Sequence, residues 1–139
     1  MFPKCIRASS SKQPELDFHK IDVILLLMVT IKHSTGTFRI GLILIDGFAL
    51  MSYSSIVEPL RAANLISRRA YYDIKYIPVT GSWANSSSGA SVKATGRIGQ
   101  EGDFDLVLVV AGGDPASFKD TKLFQWLRTL SRRGVNLGG

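Results

Sequence analysis

The chain has 139 residues, 45% of them hydrophobic and 20% charged, a balance that suits one globular domain with a real core and excludes a disordered chain. Its net charge of +6 divides into +2 over residues 1–37 (five Lys/Arg, three Asp/Glu) and +4 over residues 38–139 (twelve Lys/Arg, eight Asp/Glu), and neither part is basic enough to specify nucleic acid. Cys5 is the only cysteine and His19 and His33 the only histidines; an intrachain disulfide is therefore excluded, and zinc sites of the usual kind and Ser-His or Cys-His catalysis are disfavoured from residue 38 onward.

Residues 1–20 hold Ser9, Ser10, Ser11, Pro3, Pro14 and mixed charges without apolar periodicity, the composition of an unstructured leader. Residues 21–31, IDVILLLMVTI, are apolar but far short of the ~20 residues a membrane-spanning helix needs. A secretory signal is also disfavoured. Lys4, Arg7, Lys12 and Lys20 precede the run, but Glu15 and Asp17 interrupt them and no Ala-x-Ala site follows. Met28 is an alternative start, which would make the first 27 residues an artefact of the assumed start. Residues 1–37 are thus expected to lie outside the fold, and the protein is expected in the cytoplasm, away from membranes.

Residues 38–45 form an apolar run broken only by Arg39 and Gly41, the signature of a parallel strand buried on both faces. Asp46 and Gly47 stop it. Ser52, Ser54 and Ser55 are candidate caps for a following helix, whose apolar stripe runs through Ile56, Val57, Leu60, Ala63, Leu65 and Ile66. Pro59 predicts a kink there, or a helix that properly begins near Ile56. Residues 71–79 alternate Tyr72, Ile74 and Tyr76 against Asp73 and Lys75, a strand with one wet face, and Pro78 suits its end or a sheet edge. The segment GSWANSSSG at 81–89 reads as a loop, with Trp83 as a lid on the core, and a short strand is expected near residues 91–94. DLVLVV at 105–110 is the clearest buried strand, ended by Ala111, Gly112, Gly113, Asp114 and Pro115. Asp120 or Thr121 caps a final helix with Leu123, Phe124, Leu127 and Leu130 on its apolar face and Gly134 at C′, before a strand begins at Val135.

This order predicts a doubly wound parallel α/β sheet with right-handed crossovers, incomplete at its C-terminal end. Ligand sites in such sheets lie where strands end and helices begin, which directs attention to residues 46–54 and to the glycine pair. The pair is neither G-x-G-x-x-G nor a Walker motif, so nucleotide binding is not expected.

FRIGLILIDGFALMSYSSIVEPLRAAN, SSSGASV, DLVLVVAGGDP and RRGVNLGG, in this order and spacing, resemble the N-terminal sensor domain of AraC-family transcription regulators of the GlxA-like group. That domain belongs to the ThiJ/PfpI, or class I glutamine-amidotransferase-like, superfamily with its flavodoxin-like sheet. The resemblance covers residues 38–139, read as a partial sensor domain. It implies binding of a small effector such as an amine or amino acid, a homodimer in the full-length protein, and DNA contact only through a helix-turn-helix domain missing here. Superfamily enzymes place a nucleophile on a strained elbow and an acid on the helix after the first strand; alignment puts Ser52 at the acidic position and the elbow just beyond Gly139. A non-catalytic binding platform follows, lined by Asp46, Gly47, Phe48, Ser52, Gly112, Gly113 and Asp114, whose acids favour a cationic ligand. No metal or cofactor is implied. A fragment of a ThiJ/PfpI-like hydrolase or amidotransferase, and the product of a disrupted gene, remain as alternatives.

Overall fold

The computed structural model describes residues 36–100, 102–113 and 118–139. The expectations for residues 1–35 and for Asp114 lie outside the described residues. The elements are β1 (Phe38–Leu44), α1 (Leu50–Ser67), β2 (Tyr72–Pro78), β3 (Trp83–Asn85), β4 (Ser91–Lys93), β5 (Leu106–Val110), α2 (Thr121–Arg132) and β6 (Asn136–Gly138).

Four strands form a parallel sheet in the order β2-β1-β5-β6, and β3 and β4 form a separate antiparallel pair. The apolar run of β1 is explained by its central place. Leu42, Leu44 and Val110 pack with Val57 and Phe48 under α1, whereas Ile43, Ile77 and Val107 pack with Leu123, Trp126 and Leu130 under α2. Alternate strand residues therefore feed two cores on opposite faces. The path from β1 through α1 leads to β2 on one side of the pair β1/β5, and the path from β5 through α2 leads to β6 on the other. This is the doubly wound α/β arrangement expected, with β2 at an edge and Pro78 at its end.

Local details differ from the expectations where long-range contacts override local signals. Helix α1 begins at Leu50 and runs through Pro59. The hydrogen bond that Pro59 forfeits would run to the carbonyl of Ser55, and both residues are exposed, so its loss buries no unpaired group. None of the three serines caps it: Ala49 occupies the N-cap position without a side-chain bond, and Ser54 and Ser55 donate back to the carbonyls of Leu50 and Ser52 at 2.8 and 3.0 Å. Helix α2 is capped as expected, by Asp120 accepting from the Leu123 N–H at 2.7 Å, and Gly134 follows its C-cap with φ 82°. Its buried face is Leu123, Trp126 and Leu130, while Phe124 is 44% exposed. Residues 83–85 are a strand and not loop, and Trp83 does not cover the core: it is 52% exposed, with Lys93 Nζ 5.9 Å from its ring centroid.

Candidate functional site

Connections leave β1 and β5 in opposite directions, so their C-terminal ends flank the point where the sheet topology switches, the place where open α/β sheets hold ligands. The Ile45 N–H donates to the Val110 carbonyl at 3.0 Å, and the Ala49 N–H to the Ala111 carbonyl at 3.3 Å. These bonds clamp the two turns side by side. Between them Gly47 takes φ 80° and Gly113 takes φ 74°, a conformation that side chains disfavour. Gly112 serves a different purpose: a Cβ at that position would run into the carbonyl oxygen of Gly47. The glycine pair thus permits close approach of one turn to the other with its first member and a left-handed backbone with its second.

A third segment completes the site. The end of β3 and the loop after it fold over the end of β1, where the Gly47 N–H donates to the Asn85 carbonyl at 2.8 Å and the Asn85 N–H donates to Asp46 Oδ1 at 2.8 Å. Phe48 bridges Ser86 in parallel fashion, and the Ser87 N–H donates to the Phe48 carbonyl at 2.9 Å. Ser86 is buried, and its hydroxyl accepts from the Ala90 N–H at 3.0 Å and lies 3.1 Å from the hydroxyl of Ser88. The serine-rich loop is therefore a built part of the strand-end region. Its composition marked it only as a turn, and no local signal connects it to Asp46.

Asp46, Gly47, Gly112 and Gly113 are brought together at the strand ends. Asp46 is exposed and braces the loop with one carboxylate oxygen. Phe48 is fully buried against Tyr53, with ring centroids 5.7 Å apart, so it forms the floor under this site and its carbonyl is taken by the Ser87 N–H. Ser52 is exposed in the first turn of α1, a turn that carries no acidic residue. Tyr53, behind Phe48, continues an aromatic row to Tyr76 at 5.9 Å, and burial together with the neighbouring Tyr76 hydroxyl pushes its phenol up to about 12. It is a neutral, packed residue at all ordinary pH values. Glu58, further along α1, is held below the usual carboxylate range by its hydrogen bond from Arg61, a surface pair remote in sequence from the turns.

Among the described residues, no group of three or more His, Cys, Asp or Glu is placed to hold a metal ion, and no helix is long and apolar enough to cross a membrane. Among the same residues the one non-glycine with positive φ is Arg68, at the C-cap of α1. That strain belongs to helix termination and not to a nucleophile on a strand-to-helix turn.

Sheet order, two-sided cores and paired strand-end turns define a flavodoxin-like α/β domain. Sequence comparison identifies its kind. The chain is 42% identical over 113 residues to the HTH-type transcriptional regulator GlxA of Rhizobium meliloti, covering 81% of this chain and 35% of that protein. It is 39% identical over 97 residues to the HTH-type transcriptional regulator CdhR of Pseudomonas aeruginosa, covering 70% and 29%. No family model matches. Among solved structures, an AraC family transcriptional regulator from Pseudomonas putida superposes with TM-score 0.63 at 25% identity, covering 73% of this chain and 63% of that one. A DJ-1 superfamily protein from Agrobacterium tumefaciens superposes with TM-score 0.56 at 18% identity over 73% and 53%, which speaks for the fold alone. The chain is a relative of the AraC-type, GlxA-like HTH regulators and carries the α/β fold they share with DJ-1 and ThiJ/PfpI proteins. It spans about a third of the length of the curated relatives it matches.

Proposed function

We propose that residues 38–139 are the effector-sensing unit of a transcription regulator, binding a small molecule at the ends of β1 and β5 and passing its state to a DNA-binding helix-turn-helix part of the whole protein. The observation that carries this reading is the 42% identity to an HTH-type regulator over 81% of the chain. The site we assign is Asp46, Gly47, Ser52, Gly112, Gly113 and Asp114 over the buried Phe48, with the segment 85–87 added to it. The exposed carboxylate of Asp46, with a second acid next in sequence after Gly113, favours a cationic or zwitterionic ligand, an amine or amino acid. Signalling requires that the ligand bind two conformers unequally. The segment 85–87, held to the end of β1 by a few hydrogen bonds, is the element we assign to that change. We place the protein in the cytoplasm, as a homodimer at full length and without catalytic activity.

Calorimetry and thermal shift against amines, amino acids and their anionic counterparts test the reading. A cationic or zwitterionic ligand should stabilise the folded chain by about 2.7 kcal/mol at a hundredfold excess over its Kd. Asp46→Asn should abolish that preference while leaving the melting temperature of the free protein nearly unchanged, because the amide oxygen still accepts from Asn85. Binding of anionic metabolites alone would overturn the assignment. Turnover of glutamine or of peptide and ester substrates would instead support a ThiJ/PfpI-like hydrolase or amidotransferase, a reading that has only the fold of more distant structures on its side.

A further inference from the structure

A second recess, sharing no lining residue with the turns after β1 and β5, lies where the chain after β4 returns along the outer edge of β2. The Thr95 and Gly96 N–H groups both donate to the Tyr76 carbonyl, at 2.9 and 3.0 Å, and Thr95 Oγ1 accepts from the Tyr76 N–H at 2.8 Å. This segment occupies the outward bonding groups of Tyr76 on an edge strand. Gly96 lies flat on the strand, since a Cβ there would come within 3.1 Å of Ile77 Cγ1. The Ala94 N–H donates to the Ser82 carbonyl at 2.9 Å and ties the other wall. Residues 97–100 close the recess with a turn braced in both directions: the Arg97 N–H donates to Gln100 Oε1, and the Gln100 N–H to the Arg97 carbonyl, each at 3.2 Å.

The result is a cavity of about 340 Å³ lined by Ser82, Lys93, Thr95, Gly96, Arg97 and Gln100, among others. Its described lining includes two cations and no carboxylate. The nearby Lys75 is already matched by Asp73 at 3.4 Å, whereas Lys93 and Arg97 form no ion pair among the described residues. Small-molecule sites begin near 300 Å³ and are mostly apolar; this one is polar, and its charge is of one sign. A guanidinium matches the geometry of carboxylate or phosphate oxygens, and an ammonium adds a second point charge.

We propose that this cavity binds a small oxyanion, the phosphate or carboxylate group of a metabolite, between Lys93 and Arg97. The site is separate from the strand-end turns, and the proposal does not rest on the sensing role assigned to them. Both cations are exposed, so binding is weak and falls as salt rises.

The test is a titration of the full chain with orthophosphate in one arm and succinate in the other, followed by amide chemical shifts at low and high sodium chloride. Saturable shifts confined to residues 82 and 93–100 are expected with at least one anion. Saturation by phosphate alone identifies a phosphate ester as the ligand class, and by succinate alone an organic acid; either supports the site. Arg97→Gln and Lys93→Gln should each weaken binding about tenfold, the loss of one charged hydrogen bond, while Arg128→Gln on α2 should leave it unchanged. Absence of saturation in both arms would overturn the proposal, as would an equal loss in the Arg128→Gln protein, which marks non-specific attraction to a basic chain. All three substitutions are at exposed positions, and an unchanged circular dichroism spectrum confirms that each variant is folded.

Discussion

Gly112 and Gly113 stand side by side and should respond to the same substitution differently. Alanine at Gly112 meets the backbone of Gly47, which has no rotamer by which to yield, so Gly112→Ala should cost about 2–3 kcal/mol in urea unfolding. Alanine at Gly113 meets open space and bears only the left-handed backbone, about 1 kcal/mol. Equal losses would mean that the two turns are not in contact in solution. Tyr53 carries a pH signature. Its phenol is pushed up to about 12 by burial, then by Tyr76, so above the unfolded value near 10 the unfolded chain releases this proton first. Stability is therefore intact below pH ~10 and declines toward pH ~12. Tyr53→Phe should flatten that alkaline limb and leave neutral pH unaffected. At this scale the sequence is a partial guide. It marks the strand-end glycines without dividing their work, and it offers Phe48 as a ligand contact. The side chain is instead in the core, because the loop that lies against its backbone arrives some forty residues later and no local pattern announces it.

Among the elements, the helices show how far local signals carry. Asp120 caps α2 through a 2.7 Å bond, and Asp120→Ala should lower stability by about 1 kcal/mol. Pro59 is the contrary case: α1 continues past it, so Pro59→Ala should raise stability by about 1–3 kcal/mol, partly offset by a more flexible unfolded chain. A decrease would reveal packing by the ring that outweighs the lost helix bond. Proline and the three serines suggest a later helix start than the one found, because the position of Leu50 is set by the Ala49–Ala111 backbone bond between strand ends and not by a cap. The long strands were legible since burial on both faces requires unbroken apolar runs, as in 105–110. Three-residue β3 was not. Its pattern is shorter than any period can register, and Ala84, its one buried residue, is too small to stand out.

Across the molecule, the doubly wound order was accessible from the succession of elements, and the strand-end region from the rule that ligands gather at a topological switch. What stayed hidden is everything the β3–β4 hairpin does, because each of its contacts joins segments distant in the chain. At the opposite end of the sheet, Arg39 joins Asp103 and Asp105 at 3.4 and 3.6 Å, and Arg133 reaches Asp103 at 3.7 Å. These exposed pairs tie strand starts to the end of α2, with little energy each. The hairpin has a different mechanical character. A two-stranded ribbon is marginal by itself, and this one is pinned at its middle, where Ala84 is buried in the core under α1. One arm, Asn85 and Ser86, rests on Asp46 to Phe48; the other, Ser82 and Lys93, forms a wall of the cationic recess. One short ribbon therefore borders both regions, and Ala84, the single buried residue of its two strands, is the anchor they share.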